Sequence, residues 1–132
     1  MPITMELREN NRVIYYRFVD PWSLDELVSL YKQTVIIRNE HLHTIHAIAN
    51  LTVTRHLPTD ILHIRFTSPD ITHPRAGRVV LVGATPLIHS VAKIAIRVLR
   101  PGKVQLVATE NEAWRSIREI IESEMSKPLD GE

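Results

Sequence analysis

Short apolar or β-rich runs that alternate with helical stretches constrain the fold of this chain most strongly. Two β-rich runs at the start are separated by Asn10-Asn11, which tolerate the left-handed backbone of a tight turn, so they predict a hairpin. These runs are Ile3 to Glu9 and Arg12 to Val19. Three later runs are too short for independent helices and predict buried parallel strands: Thr44 to Leu51, Val79 to Gly83 and Val104 to Ala108.

Capping residues and prolines mark where the helices begin. Ser23 and Thr109 are each followed, three residues later, by a glutamate, which is the spacing of a capping box. Further helices are predicted to begin near Pro58 and Pro86, because proline's missing amide costs nothing in a first turn. The first and last helices carry apolar stripes: Leu24, Leu27, Val28, Tyr31 and Val35, then Ala113, Trp114, Ile117, Ile120 and Ile121.

The resulting order is β-β-α-β-α-β-α-β-α, which predicts an α/β fold. Its single-layer, mixed and mostly parallel sheet has about five strands, covered by four helices. With 132 residues, of which 44% are hydrophobic, the chain suffices for one core. We expect one α/β domain over residues 1–125 and a flexible tail over 126–132.

The sequence also indicates the cellular compartment of the protein. It contains no cysteine, which fits a reducing environment. The start shows no secretory signal, and the apolar runs are far shorter than the ~20 residues that cross a bilayer. We therefore expect a soluble, cytoplasmic protein without a transmembrane segment.

The element order resembles the STAS domain, the fold of the anti-sigma-factor antagonists, over nearly the whole chain. The ends of the third and fourth predicted strands, Asn50-Leu51-Thr52 and Val80-Leu81-Val82-Gly83-Ala84, also resemble those of this domain. The steps Leu57-Pro58 and His73-Pro74 resemble the SpoIIAA-like branch of small bacterial proteins. This resemblance implies a non-enzymatic regulatory module that binds a partner.

The resemblance also implies a phosphoacceptor. Thr59 stands in the place of the serine that a kinase phosphorylates within the Asp-Ser-Ser/Thr-Gly segment of the antagonists. Pro58, Asp60 and Ile61 depart from that segment. A phosphate on Thr59 would be favoured by the helix N-terminus and repelled by Asp60.

Residues that could supply amides and hydroxyls follow two of the predicted parallel strands, and they are Asn50, Thr52, Thr54, Gly83 and Thr85. Open α/β sheets leave a crevice outside the carboxyl ends of their strands, so these residues predict a site for a small anionic ligand or a protein partner. The alternative is structural. Thr85 then caps a helix, Gly83 permits a turn and Asn50 bonds its own backbone. The lack of a glycine-rich phosphate loop favours this alternative.

A basic stripe is the other candidate for recognition. Residues 55–103 contain eight Lys/Arg and two Asp/Glu. Four basic side chains share one face of the helix after Pro86: His89, Lys93, Arg97 and Arg100. This face predicts docking of an acidic protein or an anionic membrane, although an ordinary amphipathic surface helix has the same pattern. The few aromatic residues are needed in the core, so nucleic acid is not expected, and Ile96 suggests a homodimer contact.

No catalytic residue, metal site or cofactor is predicted. His41, His43 and His46 fall across a helix end, a loop and a strand start, which is not the spacing of a metal site. No serine lies in a nucleophile-elbow motif, and Glu110 with Glu112 is typical of a solvated helix surface. The alternative function is a small-molecule or lipid carrier of the CRAL-TRIO type, with a pocket lined by Ile61, Leu62, Ile64 and Phe66.

Overall fold

The computed structural model describes residues 3–56, 73–83, 85–98 and 103–126. In chain order the elements are β1 (Ile3–Arg8), β2 (Val13–Phe18), α1 (Leu24–Asn39), β3 (Ile45–Asn50), β4 (Ala76–Val82), α2 (Pro86–Val98), β5 (Val104–Val107) and α3 (Glu110–Ser126). The predicted α/β class is confirmed. The helix expected near Pro58 lies outside the described residues, as do Thr59 and the apolar residues proposed for a carrier pocket.

The five strands form one mixed sheet in the order β1-β2-β3-β4-β5. β1 is antiparallel to β2, whereas β2, β3, β4 and β5 run parallel to one another. The carboxyl ends of β2, β3, β4 and β5 therefore meet along one side of the sheet, which we call the carboxyl edge. The opposite edge, where β3 to β5 begin, is called the amino edge.

The hairpin between β1 and β2 has the backbone that its asparagines predict. Glu9, Asn10 and Asn11 have φ values of 55°, 54° and 64°. Arg12 N then donates to Arg8 O at 3.2 Å, which closes the turn. Asparagine tolerates this left-handed region better than most residues, so the two asparagines favour the hairpin.

Helices cover both faces of the sheet. α1 and α2 pack on the face that carries Ile14, Tyr16 and Phe18. The other face is buried as well, because α3 packs against Val13 and Tyr15. The residues of α3 in this contact are Ala113, Trp114, Ile117 and Ile121. In the part of the chain that the structure describes, no helix has both the length and the apolar composition to cross a bilayer.

Side-chain caps hold the first turns of α1 and α3. Ser23 Oγ accepts a hydrogen bond from Glu26 N, while Glu26 Oε1 accepts one from Ser23 N, both at 3.2 Å. Thr109 Oγ1 accepts from Glu112 N at 3.2 Å and donates to Glu112 Oε1 at 3.0 Å. Each cap satisfies amides that a helix leaves unpaired, so both predicted helix starts are confirmed.

A buried histidine joins three elements at the amino edge. His46 Nδ1 accepts a hydrogen bond from Arg78 N at 2.9 Å, so its proton is on Nε2, which donates to Glu124 Oε1 at 3.1 Å. Gly77 packs directly against this ring. A Cβ atom there would overlap His46 Nδ1 and lie 2.7 Å from both His46 Cε1 and Thr44 Cγ2.

Gly77→Ala should therefore lower the free energy of unfolding by about 1–3 kcal/mol, because the added methyl group overpacks a site that β3 and β4 hold rigidly. Urea denaturation would measure the loss. Ser29→Ala, on the exposed side of α1, is the control and should stay within about 0.5 kcal/mol of wild type. Equal midpoints for Gly77→Ala and wild type would contradict the packing described here.

Candidate functional site

The five residues predicted for a ligand or partner site all lie at the carboxyl edge. Asn50 ends β3, Thr52 and Thr54 follow it, and Gly83 and Thr85 follow β4. Main-chain bonds continue beyond the strand ends, from Leu51 N to Val82 O and from Gly83 N to Val107 O, both at 3.0 Å. The loops at this edge therefore start from fixed positions on the sheet.

Asn50 is the centre of a polar cluster on the α3 side of the edge. Its Nδ2 donates to Tyr15 Oη at 2.8 Å and to Glu110 Oε1 at 3.1 Å, and its Oδ1 accepts from Thr52 N at 3.0 Å. Tyr15 Oη donates to Glu110 Oε1 at 2.8 Å, and Trp114 Nε1 donates to Glu110 Oε2 at 3.2 Å. We call these five residues the Glu110 cluster.

Hydrogen bonds in this cluster keep the carboxyl group ionised. The bond from Tyr15 is the main cause that lowers the pKa of Glu110; those from Trp114 and Asn50 act in the same direction, and burial opposes them. Burial is the main cause that raises the pKa of the Tyr15 phenol. At neutral pH Glu110 is therefore an anion and Tyr15 a neutral donor. Neither has the near-neutral pKa that suits a general acid or base.

A second set of bonds joins the loop after β2 to the loop after β3. Thr54 is buried; its Oγ1 accepts from Trp22 Nε1 at 2.9 Å and donates to Asp20 Oδ1. Asp20 Oδ2 accepts from Arg55 N at 2.7 Å. The hydrogen bond from Thr54 is the main cause that lowers the pKa of Asp20. We call Asp20, Trp22, Thr54 and Arg55 the Asp20 clamp.

Two valines are exposed beside these bonded groups. Val53 is 45% exposed and lies between Thr52, in the Glu110 cluster, and Thr54, in the Asp20 clamp. Val19 is 41% exposed and directly precedes Asp20. Hydrogen bonds hold the residues on both sides of Val53 and the Asp20 side chain next to Val19, so the edge presents apolar groups beside fixed polar ones.

Gly83 and Thr85 support the start of α2. Gly83 is buried with φ 156°, and a Cβ atom there would lie 3.2 Å from Ile88 Cδ1. Thr85 O accepts a hydrogen bond from Ile88 N at 3.0 Å. These contacts fit the structural alternative for this loop. Asn50 fits the structural alternative only in part. Its side chain bonds the local backbone, as that alternative predicts, but also two distant residues.

The three histidines considered as metal ligands have different partners. His41 Nδ1 lies 2.7 Å from Ile37 O, and His43 Nε2 lies 3.0 Å from Asn11 O. His46 instead binds Glu124 and the Arg78 amide, as described above. Within residues 3–56, 73–83, 85–98 and 103–126, no group of three or more His, Cys, Asp or Glu side chains is placed to hold a metal ion.

The basic stripe is only partly described. His89 and Lys93 are exposed on α2, as its amphipathic pattern predicts. The side chain of Arg97 and all of Arg100 lie outside the described part, and so does the Ile96 side chain. Docking at this face therefore remains a prediction.

Glu110 is exposed, as the sequence indicates, but its hydrogen-bonding partners were not predicted. Its place in the first turn of α3 is typical of a solvated carboxylate, yet it accepts bonds from three side chains. Tyr15 lies 95 positions away in the chain, so no local spacing relates the two residues. The one available signal was a tyrosine on a buried strand, since a buried hydroxyl group requires a partner.

No protein-family model matches this chain, and a search of curated proteins finds no match either. The resemblance to the STAS domain rests on the sequence features described above.

Acid should destabilise the protein through both carboxylates. Because folding lowers the pKa of Asp20 and of Glu110, their stabilisation is present above the ordinary carboxyl pKa of about 4 and is lost as pH falls through the folded values. Urea unfolding at a series of pH values should show a shallower acid-side loss for the double variant Asp20→Asn/Glu110→Gln. Glu122→Gln, an exposed control on α3, should follow wild type, and an unchanged slope in the double variant would refute this prediction.

Thr54→Val should cost about 1–3 kcal/mol of stability, because it keeps the shape of the side chain but leaves Trp22 Nε1 and Asp20 without their shared partner. Thermal or urea unfolding measures the change. Thr52→Val is the matched comparison, since Thr52 is exposed and water can replace its hydroxyl bond. Equal losses in the two variants would argue against a stabilising Asp20 clamp.

Proposed function

We propose that this protein is a non-enzymatic, STAS-like regulatory module that binds a protein partner at the carboxyl edge. The observation that carries the proposal is the exposure of Val19 and Val53 on loops that hydrogen bonds hold in place. An interface with another protein combines apolar groups at its centre with polar groups at its rim, and the two valines and their bonded neighbours supply both kinds of group.

The rigidity of the loop after β3 supports binding of a protein partner. Asn50 bonds Thr52 on one side of Val53, and Asp20 bonds Thr54 and Arg55 on the other. Ordering a flexible loop on binding costs conformational entropy, and a loop ordered beforehand avoids that cost. The exposed Val53 side chain is thus suited to act as an anchor in a partner's apolar pocket.

Charge at the edge favours a protein partner over a small anion. Asp20 and Glu110 are both ionised at neutral pH, because hydrogen bonds lower the pKa of each carboxyl group. Two carboxylates repel an anionic ligand, whereas they complement basic side chains around an apolar contact. The partner surface that fits best is apolar at its centre and basic at its rim.

The protonation states support binding rather than bond chemistry. The pKa of Tyr15 is raised and that of Glu110 is lowered, so the phenol and the carboxylate stay in their ordinary forms at neutral pH. Regulation through phosphorylation of Thr59 belongs to the same proposal, on the resemblance alone. Phosphopeptide mapping of the protein from its native cells tests that part.

The double variant Val19→Asp/Val53→Asp should bind the partner at least about tenfold more weakly, since it places two charges in an apolar contact. The measurement is quantitative affinity capture from a native lysate, followed by titration of the captured protein. Leu42→Asp is the control: Leu42 is 94% exposed and precedes β3 at the amino edge, so its loss should leave binding unchanged.

Circular dichroism of all three proteins ensures that folded chains are compared. Equal binding by wild type and the double variant would overturn the carboxyl-edge proposal. Solvent extraction and mass spectrometry of the same purified sample test the carrier alternative, because a retained lipid would favour it over a partner-binding module.

A further inference from the structure

Basic side chains form a row along the amino edge. Arg12 directly precedes β2, Arg75 directly precedes β4 and Lys103 directly precedes β5, while Arg78 lies near the start of β4. Because β2 to β5 are neighbouring parallel strands, about 15 Å of sheet separates the first of these positions from the last. We call these four residues the basic row.

Neutral oxygens bind three cations of this row. Arg75 Nη1 donates to Arg38 O at 3.5 Å, and Lys103 Nζ donates to Ala76 O at 3.0 Å. Arg78 Nη1 donates to a glutamine side chain at 3.4 Å. In the part of the chain that the structure describes, the ion pairs involve other side chains. The positive charges of the row are therefore not neutralised by a bonded carboxylate, which favours an anionic partner.

The three most exposed large apolar side chains of the described residues lie at the same end of the molecule. Leu42 is 94% exposed in the loop between α1 and β3, Met125 is 65% exposed in the last turn of α3, and Ile36 is 60% exposed in the last turn of α1. α1 ends where the chain enters β3, and the hydrogen bond between Glu124 and His46 places the end of α3 at the amino edge as well. Both helices and the sheet thus present apolar or basic groups at this end.

The loop that carries Leu42 lies within the basic row. The next residue, His43, has Nε2 3.0 Å from Asn11 O, and Asn11 directly precedes the row at β2. On the other side, Ile45 N donates to Arg75 O at 2.9 Å. A leucine between cations can enter the acyl region of a bilayer while the cations remain at the level of the lipid phosphates.

We propose that the amino edge binds the surface of an anionic membrane, with the basic row at the lipid phosphates and Leu42 among the acyl chains. Each cation near an anionic lipid surface adds attraction, and an inserted apolar side chain adds the hydrophobic effect. The proposal concerns the end of the domain opposite the carboxyl edge, so it does not rest on the proposed function.

A membrane fits these groups better than an acidic protein does. Ile36 and Met125 stand on helices that cover opposite faces of the sheet, and Leu42 belongs to a loop at the edge between them. A protein interface buries neighbouring apolar groups at one centre, whereas a flat lipid surface contacts separate groups at the same time. The spacing of the apolar groups therefore favours the lipid surface.

Co-sedimentation with vesicles tests the charge of the basic row. The protein should bind vesicles that contain about 30% phosphatidylserine in phosphatidylcholine, and it should bind pure phosphatidylcholine about tenfold more weakly or less. The double variant Arg75→Gln/Lys103→Gln keeps hydrogen-bond donors but removes two charges, so its binding to the anionic vesicles should fall by about tenfold. Circular dichroism shows whether the variant is folded.

Leu42→Asn tests insertion of the apolar side chain. Binding to the anionic vesicles should weaken by about fivefold or more, whereas the stability of the free protein should not change, because Leu42 is exposed. Val53→Asn is the matched control, since it removes an exposed apolar side chain at the carboxyl edge, and it should bind vesicles like wild type.

Glu40→Lys should strengthen binding, a result that loss of folding cannot imitate. Glu40 is an exposed carboxylate two positions before Leu42, and its reversal should raise the affinity for the anionic vesicles by about tenfold. Asp25→Lys makes the same change in net charge at the other end of α1, where Asp25 is exposed. This control should gain much less affinity than Glu40→Lys.

A wild-type protein that does not bind the anionic vesicles would overturn the inference, and so would equal gains from Glu40→Lys and Asp25→Lys. Unchanged binding by Leu42→Asn would overturn it as well and, with a large loss in the basic-row variant, would indicate an acidic protein as the partner. Weaker binding by both of these variants and stronger binding by Glu40→Lys are the results expected. The variants of the carboxyl edge leave the basic row intact, so either proposal can fail without the other.

Discussion

Burial of β3 on both of its faces is the constraint on which the rest of this structure depends. Apolar side chains of β3 lie in both hydrophobic clusters, with Ala47 on the side of α1 and α2 and Ile48 on the side of α3. A strand in this position requires helices on both sides. It also requires a hydrogen-bonding partner for every polar group that it takes out of water.

The two polar side chains of β3 determine how α3 is attached. His46, near the start of the strand, binds Glu124 in the last turns of α3, and Asn50, at its end, binds Glu110 in the first turn. A carboxylate near each end of the helix thus bonds a buried side chain of one strand. The apolar stripe of α3 packs against the sheet, and these two bonds add direction that apolar contacts lack.

The carboxyl edge inherits its rigidity from the same arrangement. Parallel strands bring the loops after β2 and β3 together, and Asp20 and Asn50 then bond the residues on either side of Val53. Loops at a sheet edge are usually mobile, whereas these hydrogen bonds fix the residues next to Val53. This combination of exposure and fixed position is what supports the proposed recognition of a protein partner.

Local sequence patterns predicted most of the described fold. Asn10-Asn11 predicted the hairpin, Ser23 with Glu26 predicted the start of α1, and the short apolar runs predicted the strands, because backbone preferences and burial patterns act over a few residues. The candidate site was predicted only as a location. Polar residues at strand ends pointed to the carboxyl edge, but their long-range partners did not follow from the sequence.

The sequence by itself determined the order of the described elements and, to within a few residues, where they begin and end, since capping, turn chemistry and apolar periodicity are local. Only the tertiary structure decided that Glu110 is bonded by Tyr15, Asn50 and Trp114, and that Asp20 is bonded by Thr54. The physical reason is that a hydrogen bond depends on distance and direction in space, and chain folding brings together residues whose separation in sequence carries no information about their contact.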